Sequence, residues 1–151
     1  MPSNEKTWLE NVLTSDIPMG QAMALSVERL DERGLSLQLP LGPNINDKGT
    51  AFGGAMASAM ILAGWSLPRL LLNRENLDAD LVIGRCEIRF LLPVKSGFEV
   101  VCDWPETAAC EQFIDGLRSS SRGRLQLEPR VLVDGEVAAT LSARYAALSR
   151  D

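Results

Sequence analysis

The chain reads as an α+β domain in which a five- to six-stranded antiparallel sheet is wrapped around one long central helix. Three observations predict it. From Phe52 to about Leu67 no charged side chain appears and apolar residues occupy every angular position, the pattern of a helix buried on all sides. Several later runs alternate apolar and polar residues with period two, as half-buried antiparallel strands do. A length of 151 residues, 46% hydrophobic and 23% charged, matches a single core, so residues 1–151 are expected to form one domain.

The elements follow in order. Ser3 to Leu13 is predicted as a helix, with Ser3 as N-cap and Trp8, Leu9, Val12 and Leu13 on one face, lying over a sheet edge until Pro18 interrupts it. Met23, Leu25 and Val27 alternate with polar or small residues, Asp31 to Gly34 supplies a turn, and Leu35, Leu37 and Leu39 alternate again, which makes a hairpin. Pro40, Gly42 and Pro43 end that strand and open a polar turn that leads into the central helix. Gly64 weakens the helix and Pro68 disfavours helical geometry at Leu67, so a kink or restart is expected there, with the end near Asn73. From Leu81 onward the chain reads as sheet. Ile88, Phe90 and Leu92 alternate with their neighbours, Pro93 to Gly97 turns, and Phe98, Val100, Cys102 and Trp104 return. Glu106 to Ser121 reads as a connection with one helical turn around Gln112. Leu125 to Val133 and Val137 to Tyr145 form two long strands joined by Asp134-Gly135, a two-residue hairpin signal.

Composition removes whole classes of chemistry. The chain has no histidine, so Ser-His-Asp and Cys-His triads, His-ligated zinc and histidine bases are all excluded within this polypeptide. A net charge of −5 argues against a nucleic-acid partner held by its phosphates. Cys86, Cys102 and Cys110 lack metal-ligand spacing, so no metal is expected and the three thiols read as core residues of a reducing, cytoplasmic setting. The opening Met-Pro-Ser-Asn-Glu-Lys-Thr-Trp has no apolar run of the export type, and Ala51 to Leu67, rich in alanine and glycine, is too weakly apolar for an expected membrane span.

The segment from Asn44 to Trp65 carries the candidate site. A turn of Asn, Asp, Thr and Gly runs straight into the apolar helix, which leaves backbone N–H groups at the positive end of the helix dipole, suited to a carbonyl oxygen or oxyanion. Gly53 and Gly54 either let a ligand approach their backbone or let the helix pack closely on the sheet.

One apolar helix surrounded by antiparallel strands, with a glycine pair at its start, resembles the hot-dog fold of acyl-CoA thioesterases. The run Asn44-x-Asn46-x-Lys48-Gly49-Thr50-Ala51-Phe52-Gly53-Gly54, followed by Ala63-Gly64-Trp65, resembles in particular the thioesterase domain often found C-terminal to a GNAT acetyltransferase. A related branch of the phenylacetyl-CoA type has Asn-x-x-Gly-x-x-His-Gly-Gly and a catalytic aspartate in the central helix. Asn46, Gly49, Gly53 and Gly54 match its spacing, but Phe52 stands in place of the histidine and Ile61 in place of the aspartate.

The resemblance implies a thioester hydrolase in which a backbone N–H, first that of Gly54 with Gly53 beside it, polarises the thioester carbonyl while a carboxylate or amide positions water. Asn46 is the candidate for holding water or the carbonyl, or else an Asx-turn residue that shapes the loop. Asp47 is either the water-activating carboxylate or a solvated turn residue. The Ser58 hydroxyl either orients water or bonds back to the helix. Thr50 and Phe52 join the substrate contacts, with Thr50 as a helix cap in the alternative. Arg122-Gly123-Arg124 resembles the place where such folds meet the pantetheine arm and phosphates of coenzyme A, or else is a solvated basic loop. The substrate is then an acyl-CoA or an acyl-carrier protein, with coenzyme A entering only as part of the substrate. The protein is expected to be a homodimer or a dimer of dimers, whose second copy offers its Glu87 as the missing carboxylate. The rival is a module that binds an acyl-CoA or acyl-carrier protein without hydrolysing it.

Overall fold

The computed structural model describes residues 2–150, with side chains from Asn4 onward. Helix α1 spans Pro2–Asn11 and runs into a π-helical turn at Val12–Asp16. The predicted cap at Ser3 lies outside the residues whose side chains are described. Leu9, Val12 and Leu13 are buried, as their shared face requires, while Trp8 is half-buried under the guanidinium of Arg69, 5.0 Å from the ring centre. Pro18 starts a new short helix, α2, at Pro18–Ala22.

Strands β1 (Ser26–Leu30) and β2 (Gly34–Leu39) form the expected hairpin. Helix α3 covers Gly53–Arg74, and β3 (Ala79–Phe90), β4 (Phe98–Asp103), helix α4 (Thr107–Ser120), β5 (Arg122–Leu127), β6 (Arg130–Val133) and β7 (Glu136–Ser149) follow. All pairings are antiparallel, and the order across the sheet is β1-β2-β4-β6-β7-β3, with β5 also on β7. Since β3 runs along one side of β7, β5 and β6 lie end to end along the other. The seven strands therefore fill six positions, because Pro129 interrupts what the sequence presents as one long strand. Asp134 (φ 50°) and Gly135 (φ 80°) make the β6–β7 turn with the paired positive φ of a type I′ hairpin.

α3 lies in the hollow of the sheet. Met56, Ala59, Met60, Ala63, Leu67, Leu70 and Leu72 are buried against strand residues such as Leu37, Phe98, Val100, Leu141 and Tyr145. Two expectations change. The helix passes through Pro68 without a break, because Ser66, Leu67, Pro68 and Leu70 are all fully or nearly fully buried and packing outweighs the backbone bond that proline removes. The helix is also not buried all round: Ala57, Ser58, Ile61, Leu62 and Trp65 form a half-exposed stripe. By length and composition α3 could cross a membrane, but 61% of its most apolar window is buried inside the fold.

The connection predicted between Glu106 and Ser121 is a 14-residue helix instead. Phe113, Ile114 and Leu117 fall on one buried face, and Ser121 closes the helix at φ 64°. α4 packs so tightly on β5 that a methyl group at Gly123 would come within 2.2 Å of the Phe113 carbonyl oxygen. At the opposite edge α1 covers β1: the Glu10 carboxylate accepts the edge amide of Val27 at 2.7 Å, as expected for a helix laid over a sheet edge.

Candidate active site

The turn before α3 is held by its own asparagines. The Asn44 side chain donates to the carbonyls of Met23 (3.0 Å) and Pro40 (2.8 Å), and its backbone carbonyl accepts from Phe52 N–H at 2.7 Å. The Asn46 carboxamide oxygen accepts from Lys48 N–H (2.8 Å) and Thr50 N–H (3.1 Å), while its nitrogen donates to the Thr50 hydroxyl at 2.8 Å. Gly49 takes φ +84° at the tip, where a side chain would be strained. Ala51 N–H then bonds Val94 carbonyl at 2.8 Å and ties the turn to the loop before β4. Asn46 is thus wholly engaged in shaping the loop.

At the head of α3 the first amides with partners in this chain are those of Ala55 and Met56, both donating to the Phe52 carbonyl. Among the described residues no acceptor takes the N–H of Gly53 or Gly54. Thr50 does not cap the helix, since its hydroxyl is taken by Asn46; Phe52 occupies the cap position and offers no side-chain acceptor. The helix therefore opens with two unpaired donors at its positive end.

Two exposed aromatic rings flank this opening. The Phe52 ring lies beside Gly54, so that a methyl group built there would meet Phe52 Cε2 at 2.5 Å. The Phe90 ring stands 3.5 Å from the corresponding point on Gly53. Phe52 is 56% exposed and Phe90 54%, and Ile45, Leu91, Leu92 and Val137 add further exposed apolar surface. Phe90 escapes sequence reasoning as a site residue because only the end of β3 brings it beside Gly53.

The other candidates divide. Ser58 lies one turn into α3, half-buried, and makes no hydrogen bond among the described residues; the helical back-bond belongs to Ser66, which donates to Leu62 carbonyl at 2.7 Å. The Asp47 carboxylate is 83% exposed and paired with Lys48 at 3.0 Å. Ile61 sits on the half-exposed stripe. Arg122, Gly123 and Arg124 lie at the far end of the sheet within the same chain. Phe90 pairs with Ala139 and Arg122 with Leu148, nine residues further along β7, which is about 30 Å of strand. Gly123 is buried beneath α4.

Glu87 requires a correction. It pairs with Ser142, whose neighbours Leu141 and Ala143 are buried toward α3, so Glu87 projects from the outer face of the sheet, 3.7 Å from Arg89. It is on the wrong side to serve a helix opening. Beyond Arg85, Cys86, Ile88 and Phe90 are the residues that β3 turns toward the helix side.

Of the three thiols only Cys102 is buried in the core as expected; Cys86 is exposed and Cys110 half-buried, and the environments of Cys102 and Cys110 make them poor nucleophiles. Burial pushes Cys102 up to about 12, and burial also raises Cys110. Tyr145, buried under α3, is likewise raised by desolvation and donates its hydroxyl to the Ile61 carbonyl at 2.6 Å.

An antiparallel sheet curled around one long helix, with that helix opening on a polar, glycine-marked turn, is the hot-dog fold. The family model described as "Putative thioesterase (yiiD_Cterm)" matches residues 6–149, and the chain belongs to that family. A protein of unknown function from Chlorobaculum tepidum TLS has a similar structure, with a TM-score of 0.94 at 27% identity over 99% of this chain and 97% of its own. A protein called a putative thioesterase from Shewanella oneidensis superposes with a TM-score of 0.83 at 28% identity, covering 97% of this chain and 99% of that one. The PaaI protein from the phenylacetic acid degradation operon of E. coli shares the fold, with a TM-score of 0.70 at 11% identity over 99% and 97% of the two chains. No curated protein matches the chain.

Proposed function

We propose that this protein hydrolyses acyl thioesters, carried by coenzyme A or an acyl-carrier protein, at the N-terminus of α3. The observation that carries the reading is the pair of unpaired backbone donors at Gly53 and Gly54, side-chain free and flanked by the exposed rings of Phe52 and Phe90. A thioester carbonyl seated there develops its negative charge against two amides and a helix dipole, which favours the tetrahedral intermediate over the ground state. The aromatic rings and the apolar stripe Ala57, Ile61 and Trp65 suit the acyl chain. Water is oriented by the Ser58 hydroxyl and deprotonated by Asp47, the one carboxylate in the segment 44–65.

The working unit is a homo-oligomer joined along β3. That strand is a free edge of 12 residues that turns Ile83, Cys86, Ile88 and Phe90 toward the helix side, beside the half-exposed stripe of α3. A long apolar edge of this kind is a ready template for a second copy. The three free cysteines fit a reducing cytoplasm.

A second reading, acyl-thioester binding without hydrolysis, is favoured by the apolar Ile61 and by the high exposure of Asp47. Thiol release from a panel of acyl-CoAs separates the two. Hydrolysis predicts turnover in the parent, a loss in kcat for Gly54→Ala, whose methyl group would meet the Phe52 ring at 2.5 Å and force the site's surroundings to shift, and a loss for Asp47→Ala. Acyl-CoA binding with no thiol release selects the second reading, and turnover indifferent to Gly54→Ala removes the proposed carbonyl site.

A further inference from the structure

Four arginines stand together on the outer face of the sheet. Arg85 on β3 pairs directly with Arg144 on β7, Arg144 pairs on its other side with Gln126, and Arg124 and Arg122 follow along β5 opposite Ala146 and Leu148. Ala143, Tyr145 and Ala147 are buried toward α3, so these residues project the other way. Like charges directly opposite in an antiparallel pair repel. Four of the acids nearby are already committed, Asp78 and Asp80 to Arg150, Glu87 to Arg89, and Asp103 to Arg130, while Glu128 beyond the end of β5 has no ion pair among the described residues. Arg85, Arg122, Arg124 and Arg144 have no ionic partner among the described residues, in a chain whose net charge is −5. Between them lies a flat apolar strip of Val82, which is 44% exposed, with Ala146 and Leu148 half-buried.

We propose that this face docks an acidic amphipathic helix of the protein that carries the acyl group, so that the thioester arrives on an acyl-carrier protein rather than on free coenzyme A; this rests on the thioester reading above. The four arginines are rooted in three strands of one sheet face, unlike a phosphate cradle built on a single loop or helix start. Arg122 and Arg124 are two residues apart, about 7 Å along β5, and Arg144 and Arg85 continue the row across β7 and β3. Carboxylates one helical turn apart, about 5.4 Å, meet such a row, while aliphatic side chains between them cover Val82 and Leu148. The position also fits. If two β3 strands join antiparallel, the start of one lies beside the end of the other, which brings the arginine face of one copy to the end of the assembly where the other copy's Gly53 and Gly54 open.

The test uses the full chain, a fluorescently labelled holo acyl-carrier protein, and two substrates, octanoyl-carrier protein and octanoyl-CoA. Binding is followed by anisotropy at low and high salt, and turnover by thiol release. In the charge-reversed Arg85→Glu/Arg144→Glu variant, affinity for the carrier and kcat/KM for octanoyl-carrier protein are expected to fall at least about tenfold through KM, with octanoyl-CoA changed less than about twofold. Its melting temperature should stay close to the parent's, since the variant exchanges one opposed like-charge pair for another. Arg124→Glu should weaken carrier binding independently. Equal losses on both substrates, a loss on octanoyl-CoA alone, or carrier binding indifferent to both variants and to salt would each overturn the proposal. Arginine-dependent carrier binding with no thiol release from either substrate would uphold the docking face while removing the hydrolase reading.

Discussion

Gly64→Ala is the sharpest probe of how α3 is seated. A Cβ at this position would lie 2.5 Å from the Tyr145 hydroxyl oxygen and 3.0 Å from Cε1 and Cζ of the same ring. Tyr145 has no exposed surface and its hydroxyl is bonded to the Ile61 carbonyl at 2.6 Å, so the ring has no free space to turn into. Helix propensity favours the alanine by about 1 kcal/mol. Overpacking opposes it by about 1–3 kcal/mol, and a hydroxyl pushed off its acceptor adds about 1–3 kcal/mol more. The expected net effect is a loss of about 1–5 kcal/mol, with a Tm lower by about 2–4 °C for each kcal/mol. Tyr145→Phe alone should cost about 1 kcal/mol, because it deletes one hydrogen bond while the Ile61 carbonyl, which loses that donor, still lies within its own helix. The informative species is the double variant. Removing the hydroxyl also removes the 2.5 Å contact, so Gly64→Ala/Tyr145→Phe should be more stable than the sum of the single effects by about 1 kcal/mol. Urea and thermal unfolding at a fixed protein concentration measure all four corners of the cycle. Additivity within about 0.5 kcal/mol, or a Gly64→Ala protein that melts higher than the parent, would refute the argument.

Other predictions follow from the same packing. Glu5 is bonded to Arg74 at 2.8 and 3.0 Å, and chiefly this bond, with the guanidinium charge, lowers its carboxyl below the usual 4.5; the resulting stability is therefore present above pH 4.5 and lost as the pH falls through the lowered value. The Tm gap between the parent and Glu5→Gln should thus close on acidification. At neutral pH the half-exposed pair is worth at most about 1 kcal/mol. Phe113→Ala, which empties the seat of α4 on β5, should cost about 3–5 kcal/mol by urea unfolding. Cys86→Arg places a charge on the helix-side edge of β3, where one chain leaves the position exposed; light scattering should show a folded monomer, and an unchanged oligomer would remove β3 from the interface.

The parts of the fold that announce themselves locally were legible in the sequence. The uncharged run after Phe52 forms the central helix its composition suggests, and Asp134-Gly135 adopts the turn its residue types prescribe. α4 was obscured because Gly116 and the Ser119–Ser121 run dilute a correct Cys110, Phe113, Ile114, Leu117 spacing; Gly116 is there for contact, since its Cβ would come within 2.8 Å of the Arg122 carbonyl oxygen. The phase of β3 was not legible for a different reason. Leu81 and Ile83 face the helix, but the register shifts between Ile83 and Arg85, and beyond it Cys86, Ile88 and Phe90 face the helix instead. A one-residue bulge reverses every later side chain. Alternation already sets Glu87 on the face opposite Ile88 and Phe90; what it cannot place is Phe90 beside Gly53 and Arg85 opposite Arg144.

The same reversal bears on how water would be activated in the proposed hydrolysis. With Glu87 on the outer face and Ile61 in the helix, neither of these two positions presents an acid toward Gly53 and Gly54, and under the proposed hydrolysis Asp47 is the one carboxylate of segment 44–65 offered to take a proton. Its ion pair with Lys48 is exposed on both sides and so restrains it weakly, which leaves the carboxylate free to move to a bound thioester. Asn46, by contrast, is fixed by the loop and contributes by holding Thr50 and the turn in place rather than by touching water. The two changes should therefore differ in kind. Asp47→Asn should lower kcat with KM nearly unchanged, because only proton transfer is lost, whereas Asn46→Ala should raise KM and also loosen the turn, seen as faster proteolysis near Gly49. A kcat unaffected by Asp47→Asn would show that the backbone donors act without a carboxylate from this loop, and the base would then have to come from another chain or from the substrate itself.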